Sequence, residues 1–229
     1  MPLLARLRQL FDLDAEPSAI DAHLEQGGLG VLVRQRPGLR IPGAIEGFEV
    51  ALHALLRGST RVGGAPGELP RRVTAALGAP IDTGFPALNR LAPTAERVAE
   101  SGASGLAALG IPRRRAEAAA ALARAVAGGR LRLEPGSDVA ETRRELMEID
   151  GVGDRLATAI VMRALYWPDA FPDSDPALQR AAGVASARAL RDEAEKWRPW
   201  RAYAALHLWL GDEEATRRRG VSDATSAAS

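Results

Sequence analysis

Two features between Leu146 and Leu178 have residue types and a spacing suited to chemistry. The first is Gly151-Val152-Gly153, which interrupts two apolar, helix-like stretches. The second is Asp175, set directly before Pro176-Ala177-Leu178-Gln179-Arg180. Glycines permit positive φ and close backbone approach, so the chain can reverse there within a few residues. The amides of Gly151, Gly153 and Asp154 then lack intrahelical acceptors and would receive an anion, for which a DNA phosphate is suited. Val152 belongs to this grip; with Ile149 it would anchor the turn, while Leu156, Ile160 and Leu165 face the core. A tight connection between two helices accounts for a Gly-x-Gly equally well. An aspartate before proline is likewise an ordinary helix N-cap. For Asp175 the two readings are compatible, because a helix N-terminus favours an ionised carboxylate and an ionised carboxylate can stabilise a developing cation.

The elements that must hold these residues read as helices almost throughout. Ala/Leu-rich periodic segments punctuated by Gly and Pro predict helices over 3–13, 18–26, 44–57, 69–77, 87–91, 94–101, 113–127, 139–148, 154–166, 176–182, 186–197 and 200–211. No alternating β-branched run competes, and an all-α fold follows. From Asp212 to Ser229 the chain is charged and then Ser/Ala-rich, with nothing to bury, which predicts a disordered tail.

At 229 residues, 46% hydrophobic and 26% charged, the chain suits a soluble globular protein built as one large domain or two small lobes. The absence of cysteine excludes disulfides, thiolate zinc sites and an iron-sulfur cluster. His23, His53 and His207 have no metal-ligand spacing. No signal peptide opens the chain and no apolar run reaches membrane-spanning length, so no membrane partner is expected and a cytoplasmic, nucleoid-associated location is. The net charge of +1 argues against a strongly basic nucleic-acid sponge, but its distribution is uneven. Arg113, Arg114, Arg115, Arg124, Arg130 and Arg132 crowd one stretch in which Glu117 is the nearby acid before Glu134. Such a run is either a solvated helix face or a salt-sensitive grip on phosphate.

Together with these features, several segments resemble the helix-hairpin-helix DNA glycosylases, in particular the 3-methyladenine DNA glycosylase II (AlkA-like) branch. The segments are Ala5-Arg-Leu-Arg-Gln-Leu-Phe-Asp-Leu13, Pro37-Gly-Leu-Arg-Ile-Pro-Gly43 with the helix around Phe48, and Leu109-Gly-Ile-Pro-Arg-Arg-Arg-Ala-Glu-Ala118. The most specific is Ala194-Glu-Lys-Trp-Arg-Pro-Trp-Arg-Ala-Tyr-Ala-Ala-Leu-His-Leu-Trp209. The resemblance runs from Ala5 to Leu210 and implies two helical lobes about a cleft with the hairpin and Asp175 at its mouth. Residues 1–43 would be N-terminal helices packing on the C-terminal lobe, 44–132 the middle lobe, 133–211 the lobe with hairpin and catalytic aspartate, and 212–229 the disordered tail. Full-length relatives open with a small antiparallel β domain, and Met1 stands almost where it would end; either the natural protein lacks that domain or its start lies upstream of Met1.

The chemistry implied by the resemblance is monofunctional excision of alkylated purines from double-stranded DNA by a monomer, leaving an abasic site. The target nucleotide leaves the stack because its glycosidic bond cannot be reached inside the duplex. Asp175 would be the catalytic group, stabilising the oxocarbenium-like sugar and directing water to C1′. Trp209 and Arg155 would belong to the base pocket, and Ser59, Thr60, Arg113 and Arg114 to the DNA surface. No cofactor is implied beyond a monovalent cation on the backbone carbonyls of Met147, Ile149 and Val152. The chain also departs from the branch. Arg155 stands where a pocket tryptophan is typical, and Ala159 and Pro176 stand where aromatics are common. A ring against a cationic base is worth about 0.5–2 kcal/mol. Ser59 or Thr60 replaces the apolar wedge, in a Gly- and Pro-broken stretch, which would raise the cost of flipping by about the few kcal/mol of one unstacking step. Asp150 replaces a proline before Gly151. A degenerate DNA-binding paralogue without excision, or a structural or protein-interaction module, are the alternatives.

Arg155 also occupies the position of the lysine that bifunctional relatives use. An arginine stays protonated and forms no Schiff base. Duplex DNA carrying an abasic site should therefore remain uncut by the protein beyond the no-enzyme control.

Overall fold

The computed structural model describes residues 3–57 and 67–226, and their contacts divide the chain into two compact units. One is continuous, Gly43–Trp167; the other joins Met1–Pro42 to Pro168–Ser229.

In the continuous unit, helices α4 (Gly47–Arg57), α5 (Glu68–Leu77), α6 (Ala95–Ala108), α7 (Arg113–Ala127), α8 (Val139–Met147) and α9 (Asp154–Ala164) share one core. α7 owes its central place to alanine: Ala116, Ala119, Ala120 and Ala123 are fully buried, and small side chains let neighbouring helices come close. Thr94 caps α6 through the Arg97 amide at 3.4 Å and Asp138 caps α8 through that of Glu141 at 2.7 Å. Gly47 opens α4 under backbone: a Cβ there would lie 1.9 Å from the Leu133 carbonyl oxygen. The helix expected over 87–91 does not form. Ile81 N–H donates to the Asn89 carbonyl (3.0 Å) and Leu91 N–H to that of Ala79 (2.9 Å) about an antiparallel Pro80–Arg90 bridge. Pro80 and Pro86 each lack an amide, and the Thr83 hydroxyl takes the Leu88 carbonyl (2.7 Å) that a helix would need.

The discontinuous unit contains α1 (Leu3–Leu10), α2 (Pro17–Leu24), a π turn (Glu25–Leu29), α3 (Gly30–Gln35), α10 (Pro176–Ala181), α11 (Ala187–Ala194), a 3₁₀ turn (Glu195–Trp197) and α12 (Arg201–Ser226). Long-range side-chain bonds tie its two chain segments. The Trp197 indole N–H donates to the Gly27 carbonyl at 2.9 Å, and the Tyr203 hydroxyl to Asp12 Oδ2 at 2.7 Å. Burial, reinforced by that bond, pushes the Tyr203 phenol pKa well up. α3 is not among the expected helices; Gly28, at φ 92°, breaks the helix before it.

Two expectations are corrected here. Residues 133–167 share the core of the middle segment, so the boundary falls after Trp167 and not after Arg132. The predicted tail is helical through Ser226. Its first three acidic residues have partners: Asp212 is buried against Arg180, Glu214 pairs with Arg36, and Glu213 with Arg217 one turn on.

His207 on α12 is fully enclosed, and burial lowers its pKa; Arg36 adds to the effect while Asp21 opposes it. His53 is lowered in the same sense, again chiefly by burial. An unfolded imidazole gains its proton near pH 6.5 while these resist, so the unfolded state binds more protons as pH falls. Stability is therefore held above that pH and lost below it, by at most about 1.4 kcal/mol per pH unit per histidine. Urea unfolding at pH 7.5 and 5.5 should show the loss, and His207→Leu should flatten it.

Candidate active site and nucleic-acid interface

α8 ends at Met147, and Gly151 turns the chain with φ at +93°. Only glycine takes that conformation without strain. Ile149 and Val152 are buried on either side, and the Val152 amide donates to the Ile149 carbonyl at 2.9 Å, closing the turn. Gly151 and Gly153 are exposed, and Gly153 is the extended N-cap of α9 with no side chain to satisfy the first amides. The reversal thus sinks its apolar residues and presents its backbone. Behind it, Arg143 of α8 pairs with Asp154 and donates to the Thr158 hydroxyl at 3.3 Å. Asp154 consequently has its charge compensated at the helix start. Sequence reasoning missed Arg143, although an arginine one hairpin turn away from an N-terminal aspartate was the available signal.

Arg155, half-buried, lines a hollow of about 330 Å³ with Arg114, Arg115, Gly151 and Gly153. Arg115 reaches across to the Leu56 carbonyl at 3.0 Å, ending α4. Arg113 is turned to Glu117 at 2.8 Å. The expected DNA-surface residues are therefore distinct in kind: Arg113 is locally neutralised, Arg115 is structural, and Arg114 stands exposed at the start of α7. Ser59 and Thr60 lie outside the described residues.

Asp175 belongs to the other unit. It is 3% exposed, and its Oδ1 accepts from the Ala177 amide at 2.8 Å, with Pro176 in the first turn of α10. The loop leading to it is fixed at several points. Arg201 of α12 forks onto both oxygens of Asp169 (2.7 and 2.8 Å), and Arg198 joins the same carboxylate at 3.3 Å. Arg191 holds Asp173 at 2.6 Å, and the Asp175 amide donates to the Pro172 carbonyl at 2.9 Å. Trp209, in the same unit, is 2% exposed, and its indole N–H finds no acceptor among the described residues. Such an orphan typically costs about 1–3 kcal/mol. Among the described residues no three His, Cys, Asp or Glu side chains gather as a metal site would require.

Of the sequence candidates, Asp175 and Trp209 thus share one unit. Met147, Ile149, Gly151, Val152, Gly153, Asp154, Arg155, Arg113 and Arg114 share the other. Among the described residues no helix is long and apolar enough to cross a membrane.

An all-helical chain that turns through Gly-Val-Gly and carries a capped aspartate beyond it has the fold of the helix-hairpin-helix DNA glycosylases. A 3-methyladenine DNA glycosylase from Archaeoglobus fulgidus superposes with a TM-score of 0.77 at 20% identity, over 92% of this chain and 74% of that one. Sequence similarity is closer still. DNA-3-methyladenine glycosylase 2 of Escherichia coli is 37% identical over 207 residues, 90% of this chain and 70% of that protein. The chain belongs to that AlkA-type family. A Mycobacterium tuberculosis protein described as a probable bifunctional transcriptional activator/DNA repair enzyme AlkA is 39% identical over 214 residues. The match covers 91% of this chain, which spans 42% of the length of that relative. Residues 1–46 match the family model for the AlkA N-terminal domain; here the described part of that segment carries helices α1–α3.

The Arg201–Asp169 fork is nearly buried, at 10% and 13% side-chain exposure. Removing one partner strands the other charge. Arg201→Ala should lower unfolding free energy by about 2–4 kcal/mol in urea titration, given the partial cover that Arg198 still supplies to Asp169. Arg201→Lys should lose less, keeping the charge but not the fork.

Proposed function

We propose that this chain is a monofunctional DNA N-glycosylase that removes alkylated purines of the 3-methyladenine type from duplex DNA and leaves an abasic site. The observation that carries the reading is Asp175: a carboxylate at a helix N-terminus, on a loop fixed by the ion pairs of Asp169 and Asp173, in a chain 37% identical to the E. coli glycosylase. A fixed negative charge costs no reorganisation when the sugar becomes cationic. An N3- or N7-alkylated purine is itself cationic and departs neutral as the C1′–N bond breaks; water then adds at C1′ and gives up a proton, with Asp175 steering both events. The hairpin supplies the hold on the duplex, its amides taking a phosphate while Arg143 offsets the charge of Asp154. Trp209 would meet the extruded base.

The carbonyls of Met147, Ile149 and Val152 are oxygen donors of the kind a hard cation takes, and that of Ile149 keeps a lone pair beyond its bond to Val152. They fit a monovalent cation bracing the turn. No other cofactor enters the reading, which is of a monomer acting in the cytoplasm on nucleoid DNA.

A second reading, DNA binding without excision, is favoured by Arg155, Ala159 and Pro176, none of which offers an aromatic ring to a cationic base. One experiment separates the two. Asp175→Asn preserves an N-cap oxygen, since Asn caps as well as Asp, and should cut release of methylated purines from alkylated duplex DNA by about 10²–10³-fold with duplex affinity intact. Release by the Asn variant at the wild-type rate overturns the glycosylase reading; absence of release by both proteins, with duplex binding retained, selects the second.

A further inference from the structure

We propose that Arg155 and Arg114 form a side-chain clamp for one backbone phosphate of duplex DNA. On this view the arginine that stands in place of an aromatic ring serves the DNA backbone and not the base. The inference rests on the glycosylase reading for the identity of the polyanion.

The charge lining the hollow beside the hairpin sets it apart. Arg114, Arg115 and Arg155 converge on it from two helices, and no carboxylate is among its lining residues. The other two hollows described in this unit are of mixed sign. Arg130 and Arg132 face Glu134, Asp138, Glu141 and Glu145 in one, and Arg71, Arg72 and Arg90 share the other with Glu49 and Glu68. A surface evolved only for solubility intersperses its charges, as those two do. Of the acids near the hollow, Glu117 pairs with Arg113 and Asp154 with Arg143, while Asp150 stands exposed beside Gly151 and is not among the lining residues. The charged groups that line the hollow are all arginines.

Their duties differ. Arg115 gives its guanidinium to the Leu56 carbonyl and positions α7 against α4. Arg114 and Arg155 flank the glycine turn, whose backbone is open to approach: a Cβ built on Gly153 would meet nothing within 4 Å. Two guanidinium groups lining one hollow with an exposed glycine backbone suit a phosphate group, which accepts bidentate hydrogen bonds from guanidinium. The same placement resolves the conflict that Arg155 raises by position. A guanidinium beside a cationic base would repel it, whereas one bonded to a phosphate is neutralised and leaves the base unopposed.

Binding of an undamaged fluorescent duplex across a salt series tests the clamp. Each phosphate contact adds about 0.9 to the slope of log K against log salt. Arg155→Gln and Arg114→Gln should each flatten the slope by about that amount, Arg155→Lys should retain most of it, and Arg188→Gln on α11, a charge-matched control, should leave it unchanged. Thermal melts establish that each variant is folded; should Arg155→Gln fail to fold, the slope of Arg114→Gln and the retention by Arg155→Lys decide. An equal loss in Arg188→Gln would mean a general charge effect and overturn the clamp. An unchanged slope in Arg155→Gln, accompanied by faster methylpurine release, puts Arg155 at the base and also overturns it, with the glycosylase reading intact. Wild-type protein without salt-dependent duplex affinity overturns both.

Discussion

Charges taken out of water must be paired, and the loop from Pro168 to Asp175 is built around that constraint. Asp169 is nearly buried, and the rigid fork of Arg201 is what makes its burial tolerable. Arg201 begins α12, so the loop takes its position from the longest helix in the chain. The rest of that unit follows the same helix. Trp209 and His207 lie along it, Asp212 receives Arg180 from α10, and Glu214 receives Arg36 from the N-terminal segment. One element therefore sets the loop, the aspartate's supporting helix and the junction with the first part of the chain.

The hairpin obeys a complementary rule, in which backbone and side chains exchange their usual places. Ile149 and Val152 go inward, and the polar backbone of Gly151 and Gly153 stays outside. Such a surface has low intrinsic specificity, because amides recognise any anion of suitable shape. What distinguishes this hairpin from an ordinary helix connection is the company it keeps: arginines from α7 and α9 lining the hollow with its glycines, and Arg143 matched to Asp154. Gly153 leaves the amides of α9 without a side-chain cap, a position where Ser, Thr or Asp is otherwise favoured.

Much of this was legible in the sequence, and the pattern of what was not is physical. Periodicity located α7, α8 and α9 closely, because long amphipathic or alanine-rich runs leave little choice of face. The inward direction of Ile149 and Val152 followed from the turn alone. Local composition misled where partners are distant in sequence. The stretch after Asp212 looked unburiable, yet Asp212, Glu213 and Glu214 meet Arg180, Arg217 and Arg36. The segment 87–91 looked helical, yet prolines and a threonine hydroxyl bound it into an antiparallel arm. The division after Trp167 left no compositional mark, since it depends on which core residues 133–167 enter. Arg201 and Asp169, 32 positions apart, gave no local sign of their pairing.

The interleaved order of the two units has a consequence for biosynthesis. Residues 43–167 form a continuous unit and have their whole core once the ribosome has released them. The first 42 residues do not: Gly27 needs Trp197, Asp12 needs Tyr203, and Arg36 needs Glu214. During elongation the middle of the chain can therefore fold as a unit while both α2 and α3 still expose apolar faces, among them Leu24 and Val33, which end fully covered. Residues 1–42 are thus made before the middle unit and secured only after it, once α12 has been translated.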